Sequence, residues 1–133
     1  MRRGYSWLLL SILISVFPGC AYKHRVLYKP GDVDISGQPT LEAVSQTVSK
    51  VFMSRGWKVT KEEPGVTEAE ISRPDYSAQV RVSYDTKTAK IEYLSSANLK
   101  YRAQAGEERI HSRYNKLIRN IERDLNLVLA ASR

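Results

Sequence analysis

Residues 76–93 read YSAQVRVSYDTKTAKIEY, and they give the clearest indication of the fold. Apolar and polar side chains alternate on both sides of Asp85-Thr86-Lys87-Thr88, a short polar connection. Because strict alternation places successive side chains on opposite faces of a strand, two such runs around a polar turn predict a β-hairpin. The residues predicted to face the core are Tyr76, Ala78, Val80, Val82, Tyr84, Ala89, Ile91 and Tyr93.

The same period of two continues upstream of this hairpin. Trp57 and Val59 alternate with polar residues, and so do Ala69 and Ile71. A Pro-Gly pair and a Pro-Asp pair separate these runs, and such dipeptides favour chain reversals. The sequence therefore predicts a four-stranded antiparallel meander, apolar on one face and polar on the other, as in a sheet covered on a single side.

Two segments with apolar residues at spacings of three and four flank the predicted sheet. The first begins after Thr40, a favoured N-cap residue, and ends before Gly56, a residue suited to the left-handed helix stop. The second runs from about Glu107 to Ala130. This order predicts an α+β fold, a two-layer sandwich of helix, four-stranded antiparallel meander and helix, with both helices on one face of the sheet.

The amino terminus has the pattern of a bacterial export signal. Arg2 and Arg3 precede an apolar run from Trp7 to Phe17, and the chain's only cysteine, Cys20, follows shortly after. As a helix this run would rise only about 16 Å, about half of the hydrocarbon core. The alternatives are an uncleaved anchor and an ordinary secretory signal.

The segment Phe17-Pro18-Gly19-Cys20 resembles the lipobox of bacterial lipoproteins, with Gly19 and Cys20 matching and Phe17 and Pro18 departing from the usual residues. The resemblance implies cleavage before Cys20, acylation of its thiol and anchoring to a membrane through acyl chains such as palmitate. Ala21 is not the aspartate that commonly retains such proteins at the inner membrane. The expected location is the bacterial cell envelope, on the periplasmic face of the outer membrane.

These patterns divide the chain into three parts. Residues 1–19 are predicted to be the lipoprotein signal peptide, 20–38 the lipidated cysteine and a tether, and 39–133 a single α+β periplasmic domain. The tether prediction depends on Pro30-Gly31 and on the lack of any helical or alternating period. With one cysteine the domain cannot form an internal disulfide, so its stability must come from its core.

Several short segments resemble a family of small, uncharacterised proteobacterial outer-membrane lipoproteins. They are Arg55-Gly56-Trp57, Pro64-Gly65, Ile91-Glu92-Tyr93, Ser96, Asn98-Leu99, Tyr101, Ile110-His111, Tyr114-Asn115 and Asn120. The resemblance covers most of the chain beyond residue 40. It implies the protein class and the compartment, and it brings no activity, ligand or catalytic residue.

No recognised catalytic or cofactor motif occurs in the sequence. GxSxG, GxGxxG, P-loop and HExxH patterns are all missing, and His24 and His111 have no second ligand at a metal-binding spacing. We therefore expect no catalytic residue, no metal and no cofactor. The expected function is a non-catalytic binding or scaffolding module, and the alternative is a cell-wall or envelope hydrolase centred near His111.

One group of polar and aromatic residues is a candidate binding patch. The predicted loop after the last strand and the start of the final helix carry Ser96, Asn98, Tyr101, His111, Tyr114 and Asn115. Hydrogen-bonding groups beside aromatic rings suit an envelope protein or a glycan as partner. The alternative is structural, with Asn98 and His111 fixing the loop and the two tyrosines packing in the core.

A second candidate is a basic stripe on the predicted final helix. It consists of Arg109, Arg113, Lys116 and Arg123. In a chain with a formal charge of +7 such a stripe suits lipid or lipopolysaccharide phosphates or an acidic protein, and nucleic acid is not expected in this compartment. The alternative is a solvated helix face paired with Glu122 and Asp124.

Overall fold

A computed structural model describes residues 24–37 and 39–130, over which the chain forms an α+β fold of two helices and two antiparallel sheets. The predicted fold class is thereby confirmed. The elements are β1 His24–Val26, β2 Val33–Asp34, α1 Leu41–Ser54, β3 Lys58–Glu63, β4 Val66–Arg73, β5 Tyr76–Tyr84, β6 Thr88–Ala97, β7 Arg102–Gln104, β8 Glu107–His111 and α2 Ser112–Ala130.

The larger sheet has five strands in the order β2-β6-β5-β4-β3, one strand more than the sequence predicted. Strands β3 to β6 pair antiparallel in succession, and the alternating residues Ala78, Val80, Val82 and Tyr84 are all buried. The register of β6 shifts between the partners of Gln79 and Val80, so that Val80 pairs with Tyr93 and Gln79 with Ser95. An extra residue of this kind is a β-bulge, which changes the face on which the following side chains lie.

The second sheet has three strands in the order β1-β8-β7, and the sequence did not predict it. The tether prediction for 20–38 is corrected within the described residues, because residues 24–26 pair with β8 and residues 33–34 pair with β6. Leu27 and Val33 are both buried in the core. Strands β1 and β2 are only three and two residues long, so distant partners and not a local pattern determine them.

Helix α1 begins and ends as predicted. The Thr40 hydroxyl accepts a hydrogen bond from the Ala43 amide at 3.1 Å, which caps the first turn. At the other end Gly56 has a φ of +78°, a left-handed conformation that glycine adopts without a Cβ clash. The helix buries six residues: Val44, Ser45, Val48, Ser49, Val51 and Phe52.

Helix α2 starts at Ser112, so the predicted start near Glu107 is wrong. Residues 107–111 form β8, which pairs with β7 across a tight reversal. Ala105 and Gly106 both have positive φ angles, 52° and 78°, as the two central residues of a type I′ hairpin turn require. On the helix, Leu129 is buried, whereas its neighbour Val128 is 47% exposed.

One buried cluster joins residues of both helices with residues of the larger sheet. Trp57 is 3% exposed, and its ring centroid lies 5.6 Å from that of Phe52, so its predicted burial is confirmed. Within residues 24–37 and 39–130, no helix is both long and apolar enough to cross a membrane. The predicted signal peptide 1–19 and the lipidation site Cys20 lie outside the described residues.

Candidate functional site

The structure brings the predicted binding patch together in part. Ser96, Tyr101 and Tyr114 all contact Tyr93, whereas His111 and Asn115 bond to other groups. Ser96 lies within β6 and not in a loop, and its hydroxyl is 2.9 Å from that of Tyr93. Asn98 is exposed, with a φ of 58°, in the left-handed region that asparagine tolerates better than most residues. Its position at the chain reversal after β6 is therefore explained by backbone conformation.

Asn115 is a structural residue at the start of α2. It is only 3% exposed, its side-chain carbonyl accepts from the Tyr28 amide at 2.9 Å, and its amide group donates to the Val26 carbonyl at 2.8 Å. Both partners are backbone groups, one at the last residue of β1 and one two residues further along the chain. Both ends of the Asn115 amide group are thus used within the protein, a structural role that the sequence alternative gave only to Asn98 and His111.

His111 lies at the end of β8, directly before α2, and not on the helix as predicted. Its Nδ1 atom accepts from the Arg113 amide at 3.1 Å, which satisfies one of the free amide groups at the helix start. Its own amide donates to the Leu99 carbonyl at 2.8 Å. The imidazole of His111 thus takes part in helix capping. The backbone amide of the same residue connects β8 to the loop after β6.

The two predicted tyrosines belong to an aromatic cluster that includes Tyr93. The ring centroids of Tyr93 and Tyr101 are 4.5 Å apart in a stacked arrangement, and those of Tyr93 and Tyr114 are 5.4 Å apart, edge to face. Tyr114 is 1% exposed, and burial raises the pKa of its hydroxyl far above the usual value. Alternation predicted that Tyr93 faces the core. The residue is half-buried and packs against the core cluster, and its ring contacts both Tyr101 and Tyr114.

The predicted basic stripe is not continuous, because Arg109 lies on β8 and the other three residues lie on α2. Arg113 pairs with Asp75 at 2.8 Å and lies over the Tyr76 ring, 4.9 Å from its centroid. Arg123 lies 3.7 Å from Asp124, and Lys116 is exposed. The Arg113 and Arg123 contacts agree with the alternative of a solvated helix face whose charges are paired. The partner of Arg113 is not on the helix, because Asp75 lies in the turn between β4 and β5.

A cleft of about 260 Å³ opens between the two sheets beside the aromatic cluster. Its walls are formed by residues 27–30 and 90–93, together with Glu108 and Tyr114. Residues 28–30 lie in the segment that was predicted to be a tether, so no binding residue was predicted among them. Tyr28-Lys29-Pro30, an aromatic and a basic residue before a proline, was the only signal available.

Charged and phenolic groups at one side of the cleft are paired with one another. Lys29 Nζ lies 2.9 Å from a Glu108 carboxylate oxygen, and the Tyr101 hydroxyl donates to the other oxygen, also at 2.9 Å. Hydrogen bonds from Lys29 and Tyr101 lower the pKa of Glu108, so this carboxylate stays ionised. The pair provides both charge signs at the mouth of the cleft.

Tyr28 is held in place by α2. Its hydroxyl donates to Glu122 at 2.6 Å, which raises the pKa of Tyr28, and the Arg119 guanidinium lies 4.4 Å from the centre of its ring. Together with the Asn115 bond to its amide, these contacts hold Tyr28 by its backbone, ring and hydroxyl. The wall of the cleft is therefore fixed in place without a ligand.

The opposite wall is a strand edge. Strand β2 pairs with β6 only at Thr88 and Ala89, whereas the cleft is lined by residues 90–93 of the same strand. Among the described residues, no strand pairs with this part of β6 on the side away from β5. A strand edge without a partner presents backbone amides and carbonyls that can pair with another chain.

No group of three or more histidine, cysteine or acidic side chains in the described part of the chain is placed to hold a metal ion. The chain matches no protein-family model, no curated protein and no solved structure. The resemblance to small proteobacterial lipoproteins stays a prediction.

Proposed function

We propose that this protein is a lipid-anchored lipoprotein of the bacterial envelope, on the periplasmic face of the outer membrane, and that its domain binds a partner without catalysing a reaction. The export pattern before Cys20 and the single cysteine support the anchoring. The cleft beside the free edge of β6 is the observation that carries the binding function.

The finer fold prediction, with both helices on one face of the larger sheet, is part of the proposal. It is supported by the single core cluster that contains residues of α1, α2 and the inward positions of β4, β5 and β6. On the outward positions Glu68 pairs with Arg81 at 2.8 Å, and Ser95 donates to Gln79 at 3.2 Å. Polar pairs of this kind are typical of a sheet face that is exposed to water. We therefore assign binding to the edge of the sheet and not to its outward face.

The partner supported best is an extended segment of an envelope protein. In β-augmentation, a peptide adds a strand to an exposed sheet edge, and neighbouring pockets select its side chains. Here the edge at residues 90–93 lies opposite Tyr28 and beside the Lys29–Glu108 pair, which offers an aromatic surface and both charge signs. A glycan would use the tyrosines but would leave the strand edge unused, so the peptide is favoured.

The placement of His111 supports binding over hydrolysis. A general base must reach the reacting group in a cleft. His111 does not line the cleft between the sheets. Its Nδ1 atom already accepts a hydrogen bond from the Arg113 amide. Two carboxylates line the cleft, and both are paired: Glu108 with Lys29 and Tyr101, and Glu92 with Lys90 at 3.5 Å.

Site-specific photo-crosslinking in intact cells tests the cleft. A photoreactive amino acid at Lys90, on the free edge, should crosslink to a specific envelope protein. The matched control is Lys61, which lies on the far edge strand β3 and is likewise partly exposed, 44% against 61% for Lys90. We expect no specific adduct from position 61.

Charge reversal then tests the cleft chemistry. Lys29→Glu should reduce the Lys90 adduct, because it places a carboxylate opposite Glu108 at the cleft mouth. Lys29 is 77% exposed, so the fold should be unaffected. Lys61→Glu, the same change on the far edge, should leave the adduct intact. Equal adducts from positions 90 and 61, or none from position 90, would show that the cleft does not bind a protein.

A further inference from the structure

The anchor point lies very close to the folded domain. Strand β1 begins at His24, four residues after Cys20, whereas the sequence alone predicted a tether up to residue 38. Four residues span at most about 14 Å even when fully extended. If Cys20 carries acyl chains, as the proposed function holds, the start of β1 must lie within that distance of the membrane anchor.

The register of the smaller sheet gathers basic side chains on one face. Val26 pairs with Arg109, and Arg109 pairs in turn with Arg102, so these three residues share a face. His24 lies on the same face, two positions from Val26. The opposite face carries Ile110, which is buried, so the face with the arginines points outward.

This outward face is exposed and has a shallow depression of about 400 Å³. His24, Arg102, Gln104, Glu107 and Arg109 contribute to its lining. Glu107 is the only acidic residue in that lining, it lies 3.3 Å from Arg109, and both side chains are about half exposed. Val26, which pairs with Arg109, adds an apolar side chain that is 55% exposed.

We propose that this outward face of the three-stranded sheet docks on the anionic phospholipid headgroups of the bilayer that holds the acyl chains. Arginine suits phosphate oxygens, and each basic residue near an anionic surface strengthens membrane association about fivefold. Because the anchor already holds the domain at the surface, modest contacts are sufficient to fix its orientation.

Docking in this orientation keeps the cleft accessible. Glu108 and Arg109 are consecutive residues of β8, so their side chains lie on opposite faces of the sheet. Glu108 lines the cleft between the sheets, while Arg109 lines the outward depression. A bilayer against the arginines therefore lies on the other side of the sheet from the partner-binding cleft.

Fluorescence quenching on the acylated full-length product tests the orientation. Cys20 is the only cysteine, so after its acylation Gln104→Cys provides a single reactive thiol on the outward face, and Met53→Cys provides the control on α1. Both proteins are reconstituted in vesicles of phosphatidylethanolamine and phosphatidylglycerol that contain a headgroup nitroxide lipid. We expect strong quenching at position 104, weak quenching at 53, and loss of the difference in high salt.

Paired charge variants make the test specific. Arg102→Gln with Arg109→Gln should shift the docking equilibrium about fivefold for each arginine and abolish the extra quenching at position 104. Arg113→Gln with Arg123→Gln removes the same charge from α2 and should leave it unchanged. Equal quenching at positions 104 and 53, or equal effects of the two charge variants, would overturn the docking proposal.

Mass measurement separates this inference from the function on which it rests. If Cys20 carries no acyl chains, the lipoprotein proposal and the docking proposal both fail. If Cys20 is acylated and position 104 is not quenched, only the docking orientation is wrong.

Discussion

The side-chain amide of Asn115 donates a 2.8 Å hydrogen bond to the backbone carbonyl of Val26, which lies 89 positions earlier in the chain. The same side chain accepts from the Tyr28 amide at 2.9 Å. One buried residue of α2 thus satisfies two backbone groups, one at the end of β1 and one two residues beyond it. It joins the smaller sheet to the helix and positions one wall of the cleft.

Asn115→Ala should therefore reduce stability. Two backbone groups lose their partner in a site that is nearly closed to water, at a cost of about 1–3 kcal/mol each, so the free energy of unfolding should fall by about 2–6 kcal/mol. Denaturant titration measures this. Asn126→Ala is the control, because Asn126 is exposed and bonds only within its own helix. Similar small losses in both variants would show that the Asn115 bonds do not hold the segment.

Trp57→Ala should be among the most destabilising truncations. The indole is 3% exposed and packs on Phe52, and truncation of a buried aromatic residue costs about 3–5 kcal/mol. The thermal midpoint measures the loss, with Met53→Ala as the control because Met53 is 57% exposed. An unchanged midpoint for Trp57→Ala would mean that the indole does not pack in the core.

The ion pair between Arg55 and Asp124 should make stability depend on pH. Arg55 Nη2 lies 2.9 Å from Asp124, and this hydrogen bond lowers the pKa of the Asp124 carboxyl. A carboxyl whose pKa is lower in the folded state stabilises the fold above its unfolded pKa of about 3.9, and that contribution is lost as the pH falls through the folded value.

Asp124→Asn should consequently flatten the fall in stability below about pH 4. Urea titrations at several pH values measure the slope. Asp75→Asn is a matched control, since Asp75 pairs with Arg113 but is 67% exposed, compared with 19% for Asp124, and water weakens its pair. If the two variants have the same acid profile as the unchanged protein, the Asp124 pair is not coupled to folding.

Cys20→Ser should prevent acylation. The substitution removes the thiol that we propose accepts the lipid, so the product should remain an uncleaved precursor without incorporated fatty acid. Metabolic labelling with a fatty acid, followed by gel analysis, measures both properties. Pro18→Ala serves as the control, because it places a small residue before Gly19 and should still be labelled. Label in the Cys20→Ser protein would contradict the lipoprotein assignment.

The elements that the sequence predicted well are those with a local cause. Helix α1 follows from an N-cap at Thr40, apolar spacing and a left-handed stop at Gly56, all within one short segment. Strand β5 follows from strict alternation over nine residues, and four of its five predicted inward residues are buried. Local signals of this kind operate before any tertiary contact forms.

The elements that the sequence missed depend on distant partners. Strands β1 and β2 are too short to show a period and exist because β8 and β6 pair with them. Ile110 and Tyr114 also fit helical spacing, which concealed β8 inside an apparent helix. Gly106 was the available clue, but Ala105-Gly106 lacks the asparagine or aspartate that usually marks such a turn.

The candidate site was partly predictable for the same reason. Tyr101 and Tyr114 were identified from their chemistry, and both lie at or near the cleft. Lys29 and Glu108 meet only because β1 aligns with β8, since the Leu27 amide donates to the Glu108 carbonyl at 2.8 Å. No pattern within either segment indicates the other.

The pairing of β1 with β8 also determines the order of events during synthesis and transport. Residue 24 finds its partner at residue 111, so a chain that emerges amino terminus first must deliver nearly its whole length before the smaller sheet can close. Contacts between such distant segments form late, because the intervening chain must be ordered first. Under the proposed export route, the strand nearest to Cys20 can therefore pair with β8 only after residue 111 has crossed the inner membrane.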